Sequence, residues 1–96
     1  MAGYVIAQLR PPDPIPAEVE RYMELVQDTL DPFGGSFLVH GGALEVREGQ
    51  WPGDAVVIQF PSVERARGWY DSAAYAQIRP LRTDNIDCDV VIVEGA

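Results

Sequence analysis

The order of segments along this chain predicts an α+β domain, strand–helix–strand–strand–helix–strand, in which both helices cover one face of a four-stranded antiparallel sheet. Three observations predict it. Short β-rich runs recur along the sequence, two of them apolar on both parities. Two stretches carry apolar residues at helical spacing, and Pro or Gly clusters punctuate the boundaries.

Residues Tyr4 to Leu9 read as a central strand, apolar on both faces, with Val5, Ala7 and Leu9 on one side and Tyr4, Ile6, Gln8 and Arg10 on the other. Arg10-Pro11-Pro12-Asp13-Pro14 ends it, because Pro fixes φ and donates nothing to a ladder. A helix follows from about Pro16 to Leu30. Val19, Tyr22, Met23, Val26 and Leu30 form its apolar side, and Glu18 and Glu20 suit the positive end of its dipole. Asp31-Pro32 stops it and Gly34-Gly35 turns the chain.

Ser36 to His40 reads as the second strand, with Phe37 and Val39 on one face and Ser36, Leu38 and His40 on the other. After Gly41-Gly42 an extended pattern resumes from Leu44 to Glu48. Glu48 to Asp54 is a turn-rich connection, and Ala55 to Phe60 is the third strand. Ser62 is a good N-cap for a second helix with a Val63, Ala66 and Tyr70 stripe. Asp71-Ser72 breaks that helix, and Ser72 caps a last short one that holds Tyr75 and Ile78 and stops at Pro80. Cys88 to Glu94 is the final strand. The result is the split βαβ, or ferredoxin-like, arrangement. The sheet face opposite the helices carries Tyr4, Ile6, Leu38, Ala55 and Val57, too apolar for water, so a second copy of the sheet is its expected cover.

Composition points the same way and removes several chemistries. At 96 residues the chain is a single domain, 1–96, with 47% apolar or aromatic residues, more than a lone small monomer hides easily. A homodimer is therefore expected. The net charge is −8, and all seven basic residues are Arg. Such a domain repels phosphate backbones and anionic lipid, so neither nucleic acid nor membrane is an expected partner. Without Lys there is no Schiff-base chemistry and no Walker-type phosphate lysine. One Cys and one His cannot build a structural zinc site. No cofactor and no metal are expected. The first residues carry no basic n-region or cleavage site, and no apolar run approaches the roughly 18 residues of a membrane span, so the cytoplasm is the expected location.

Five phrases occur in order: Gly34-Gly35-Ser36-Phe37-Leu38-Val39-His40-Gly41-Gly42, Glu48-Gly49-Gln50-Trp51, Phe60-Pro61-Ser62, Trp69-Tyr70-Asp71-Ser72, and Tyr75 with Ile78-Arg79-Pro80-Leu81. Across nearly the whole chain they resemble an uncharacterised bacterial domain-of-unknown-function family of the dimeric α+β barrel superfamily. The resemblance implies a ferredoxin-like fold whose two sheets pack into a barrel-like dimer with a cavity beneath each sheet. Wider relatives include cofactor-free monooxygenases, muconolactone isomerases, haem-binding enzymes and ligand-sensing domains, so fold alone sets no reaction. The family pattern carries Arg where this chain has His40, and Pro is common where Ala73 stands.

His40 is the one side chain that titrates near neutrality without help. By strand parity it belongs to the uncovered face. It reads either as a catalytic acid or base or haem ligand, or as an interfacial histidine held by a hydrogen bond. Gln8 and Gln59, amides on otherwise apolar neighbouring strands, are expected to approach each other and either orient a ligand or pair structurally. Trp69 and Tyr75 are expected to border a cavity, and Tyr22 and Tyr70 to be core. Arg79 suits either a ligand carboxylate or the end of its helix. Trp51, in the Glu48 to Asp54 turn, suits a dimer anchor. Cys88 stands between Asp87 and Asp89, whose negative charge works against a thiolate nucleophile. Asp84, Asp87 and Asp89 lack a calcium-loop pattern.

Two functions follow as expectations. One is a homodimer that binds a small organic or anionic ligand and catalyses metal-free proton transfer, as an isomerase does, or cofactor-free oxygenation. The other is a non-catalytic ligand-sensing or structural dimer.

Overall fold

The computed structural model describes residues 1–96. Strand β1 (Gly3–Arg10) leads into helix α1 (Ala17–Leu30), a 3-10 turn (Asp31–Phe33) and strand β2 (Ser36–His40). Strand β3 (Asp54–Phe60), helices α2 (Val63–Tyr70) and α3 (Ala73–Thr83), and strand β4 (Asp87–Glu94) complete the chain. The strands form one antiparallel sheet in the order β2-β3-β1-β4. The α+β, ferredoxin-like expectation holds, with three helices on one face.

Register explains where the core sits. Val5 lies opposite Ile58 and Ile92, and Ala7 opposite Val56 and Val90, so these side chains share the helix-covered face. Val19, Tyr22, Val26 and Leu30 of α1, Ala66 and Trp69 of α2, and Tyr75 and Ile78 of α3 close over them. Gly3 is needed where β1 passes under α2. A Cβ there would stand 2.6 Å from the backbone of Ser62 and Val63. On the opposite face Tyr4, Ile6 and Gln8 align with Gln59, Val57 and Ala55 on one side and Val93, Val91 and Asp89 on the other. Val91 and Val93 are 54% and 42% exposed, so within one chain this face is bare.

Four details depart from expectation. Residues 41–53 form no strand, and the stretch Leu44 to Glu48 is exposed. β2 is an edge strand, and beyond the contact of the Gly41 amide with the Ala55 carbonyl it has nothing to pair with. Helix α3 does not stop at Pro80 but continues to Thr83. Pro80 donates no amide, yet its carbonyl still accepts from Asp84 at 3.0 Å, so the helix runs on past it. On α2 the fully buried aromatic is Trp69, with Tyr70 only half-buried.

The fourth departure moves His40. Pairing along β2 runs Phe37 to Ile58 and then Val39 to Val57, with Leu38 as an extra residue, and His40 falls opposite Val56. This bulge inverts the parity beyond it. His40 therefore leaves the uncovered face, where simple alternation puts it, and joins Phe37 on the helix side.

Candidate functional site

The space between sheet and helices is not completely filled. An inner cavity of about 40 Å³ lies among Val5, Ala7, Phe37, Ile58, Trp69 and Tyr75, and an outer groove of about 450 Å³ opens beside it past Ile15, Val19 and Glu20. Leu9, Tyr22, Met23, His40, Val56 and Arg82 line both, so the two spaces meet there. The walls are overwhelmingly apolar and the polar atoms few, the usual make-up of a small-ligand site.

Three of the polar side chains converge where the two spaces meet. The helical spacing of Tyr75 and Arg82, two turns apart on α3, brings both to the face that meets α1. There the hydroxyls of Tyr22 and Tyr75 lie 2.7 Å apart, and Arg82 donates from Nη2 to the Tyr75 hydroxyl at 3.3 Å. Its other arm donates to Cys88 Sγ, and the guanidinium carbon stands 5.8 Å from the centre of the Tyr22 ring. Arg82 is only 4% exposed and belongs to none of the chain's ion pairs. Burial opposes its charge, but the Tyr75 and Tyr22 hydroxyls and the Cys88 thiol outweigh that and hold it protonated beyond its ordinary range. Burial, reinforced by Tyr75, pushes the Tyr22 phenol well above the usual tyrosine range.

His40 stands at the junction of the two spaces. Its ring stacks on Phe37 with centroids 4.1 Å apart and planes within 4°. Trp69 packs on Tyr75 with centroids 4.1 Å apart, and its indole nitrogen donates to the Thr29 hydroxyl at 3.0 Å.

The residues singled out from sequence thus divide. His40, Trp69 and Tyr75 line the cavity. Gln8 and Gln59 do not approach each other: Gln8 sits opposite Ala55 and Gln59 opposite Tyr4, at different ends of the uncovered face. The Gln8 amide oxygen accepts from Arg10 at 2.8 Å, while Arg10 also reaches Asp89. Arg79 turns away from the cavity. It donates to the Tyr70 carbonyl at 3.0 Å and lies over the Tyr70 ring. No group of three or more His, Cys, Asp and Glu side chains gathers at metal-binding spacing.

Sequence reasoning missed Arg82 altogether and took Tyr22 for core alone. The signal was available: Tyr75, Ile78 and Arg82 form one helical stripe, hidden only because the helix was ended at Pro80. The aspartates that flank Cys88 pointed away from it, and the guanidinium that meets it comes from the end of α3, across the turn before β4.

A four-stranded antiparallel sheet with helices on one face and a polar cluster beneath it defines a ferredoxin-like α+β protein with an internal pocket. The chain belongs to the family described as a domain of unknown function, DUF1330, whose profile matches residues 2–96. No curated protein matches it. Among solved structures it is similar to a protein of unknown function from Rhodopseudomonas palustris, with a TM-score of 0.72 and 14% identity over 99% of this chain and 82% of that one. It is also similar to dimeric ferredoxin-like proteins of unknown function from Thermobifida fusca and from Jannaschia sp. The first has a TM-score of 0.64 and 19% identity over 99% and 92% of the two chains. The second has a TM-score of 0.68 and 13% identity over 99% and 100%. At these identities the likeness carries the fold.

Proposed function

We propose that this chain, one domain over residues 1–96, is a cytoplasmic homodimer. In this reading each copy binds a small organic ligand between sheet and helices and moves a proton on it, with His40 as acid or base. The observation that carries the reading is the bulge in β2, which turns the chain's one imidazole onto the lining of an apolar cavity. Imidazole is the side chain most often used for general acid–base catalysis. The Tyr22 and Tyr75 hydroxyls and the Arg82 guanidinium supply donors suited to an oxygen that gains negative charge, as the carbonyl of an enolising substrate does. The dimer is supported by the bare apolar face and by the dimeric state of the two ferredoxin-like relatives.

Native mass spectrometry of protein purified without added ligand tests both parts. The expected species is twice 10.6 kDa with a reproducible small-molecule adduct. Wild type, but not His40→Ala, should then exchange solvent deuterium into that molecule. A bare monomer would overturn the proposal.

A second reading, a non-catalytic ligand-sensing or structural dimer, is favoured by one feature. His40 is held by its stack on Phe37 and forms no ion pair that would orient its ring as a catalytic base is usually oriented. In that case His40→Ala leaves ligand retention intact, lowers the melting temperature, and wild type exchanges no deuterium.

A further inference from the structure

We infer that the Arg82–Tyr22–Tyr75 cluster is an anion site that takes the single carboxylate of a small, otherwise apolar organic acid. The inference rests on the cavity being a ligand site and assigns the chemical class of its occupant. Its basis is an imbalance of donors over acceptors. A guanidinium carries five N–H donors and no acceptor, and a buried one is ordinarily matched by a carboxylate. Arg82 is 96% buried by its 4% exposure, yet it meets a thiol, a hydroxyl and an aromatic ring. The Tyr75 oxygen accepts from Arg82, and between the Tyr22 and Tyr75 hydroxyls, 2.7 Å apart, a single proton makes the bond, whichever of the two gives it. One of the two hydroxyls is therefore left with a proton that no acceptor in the chain takes, and both residues line the cavity, Tyr22 the groove as well. The donor chain ends on a space that a ligand can enter.

The surroundings narrow the anion. One cation among apolar walls matches one negative charge. Glu20 and Asp54 line the outer groove without reaching Arg82 at ion-pair distance, and their charge works against a ligand with a second carboxylate or a phosphate. The inner cavity, about 40 Å³, accommodates a group of a few atoms, while the groove of about 450 Å³ takes a body of ordinary small-molecule size.

Titration calorimetry with hexanoate and benzoate, their neutral amides, and the dianion adipate tests the assignment on the intact protein. The acids should bind about tenfold or more tightly than the amides, and adipate more weakly than hexanoate. Arg82→Gln should abolish the preference for acid over amide. If that variant fails to fold, Tyr22→Phe decides instead: it should weaken the acids several-fold and leave the amides unchanged. Equal binding of acid and amide to wild type overturns the anion site and leaves the pocket standing. A preference that survives both substitutions also overturns it. Binding of none of the probes sinks the anion site and the ligand-pocket reading together.

Discussion

Burial and the adjoining Tyr75 hydroxyl raise the Tyr22 phenol well above its ordinary range, and this makes one residue a lever on alkaline stability. In the unfolded chain a tyrosine loses its proton near pH 10, while in the folded chain Tyr22 keeps it. The stabilising effect is therefore fully present below about pH 10 and is lost as pH rises towards the folded value, at a slope of about 1.4 kcal/mol per pH unit. Urea titrations between pH 8 and pH 11, on the order of the range bracketing that ionisation, should show wild type losing stability with the steeper slope. Tyr22→Phe should be flatter by about one proton. A second test concerns Thr29, whose hydroxyl accepts from the Trp69 indole and donates to the Val26 carbonyl at 2.7 Å. Thr29→Val keeps the shape and strands a buried N–H, and should cost about 1–3 kcal/mol in chemical denaturation.

At the scale of elements, α3 carries a local conflict that packing resolves. Pro80 removes an amide within the helix, and an interior proline costs about 3 kcal/mol against alanine. Part of that is offset because proline restricts the unfolded chain by about 0.4–1 kcal/mol. Pro80 is exposed, and Pro80→Ala should raise stability by about 2–2.6 kcal/mol, read from the urea midpoint at unchanged slope. The same conflict sets how far the sequence could be read. The limits of α1 and β2, the Ser62 and Ser72 caps and the bare sheet face were legible, because period, capping and burial agree there. Where local chemistry and tertiary packing disagree, they were not. Pro80 reads as a stop, which hid Arg82. The Leu38 bulge leaves no mark in a run of apolar residues, so alternation sent His40 to the wrong face. The lining of the cavity was thus legible in Trp69, Tyr75 and the presence of His40, and illegible in the long-range meeting of α1, α3 and β4 that gives Arg82 its neighbours.

For the molecule as a whole, the decisive matter is what covers Tyr4, Ile6, Val57, Val91 and Val93. Val91 and Val93 are exposed and Tyr4, Ile6 and Val57 half-buried, and register places them side by side across three strands, where water would meet a continuous apolar surface. In the proposed homodimer two such faces meet and each copy covers the other. Val91→Glu separates the alternatives, because its consequence depends on the partner. In a monomer Val91 faces water, and the substitution should change stability by less than about 0.5 kcal/mol. In a dimer it places a carboxylate from each copy in a dry interface, and burial of unpaired charge at that scale defeats association. Sedimentation equilibrium should therefore show wild type at twice 10.6 kDa and Val91→Glu at the monomer mass. The wild-type melting temperature should also rise with protein concentration, as it does when folding and association are linked. A wild-type monomer whose melting temperature ignores concentration would mean that the sheet face meets something other than itself. The pocket on the opposite side of the sheet, built within one chain, would stand in either case.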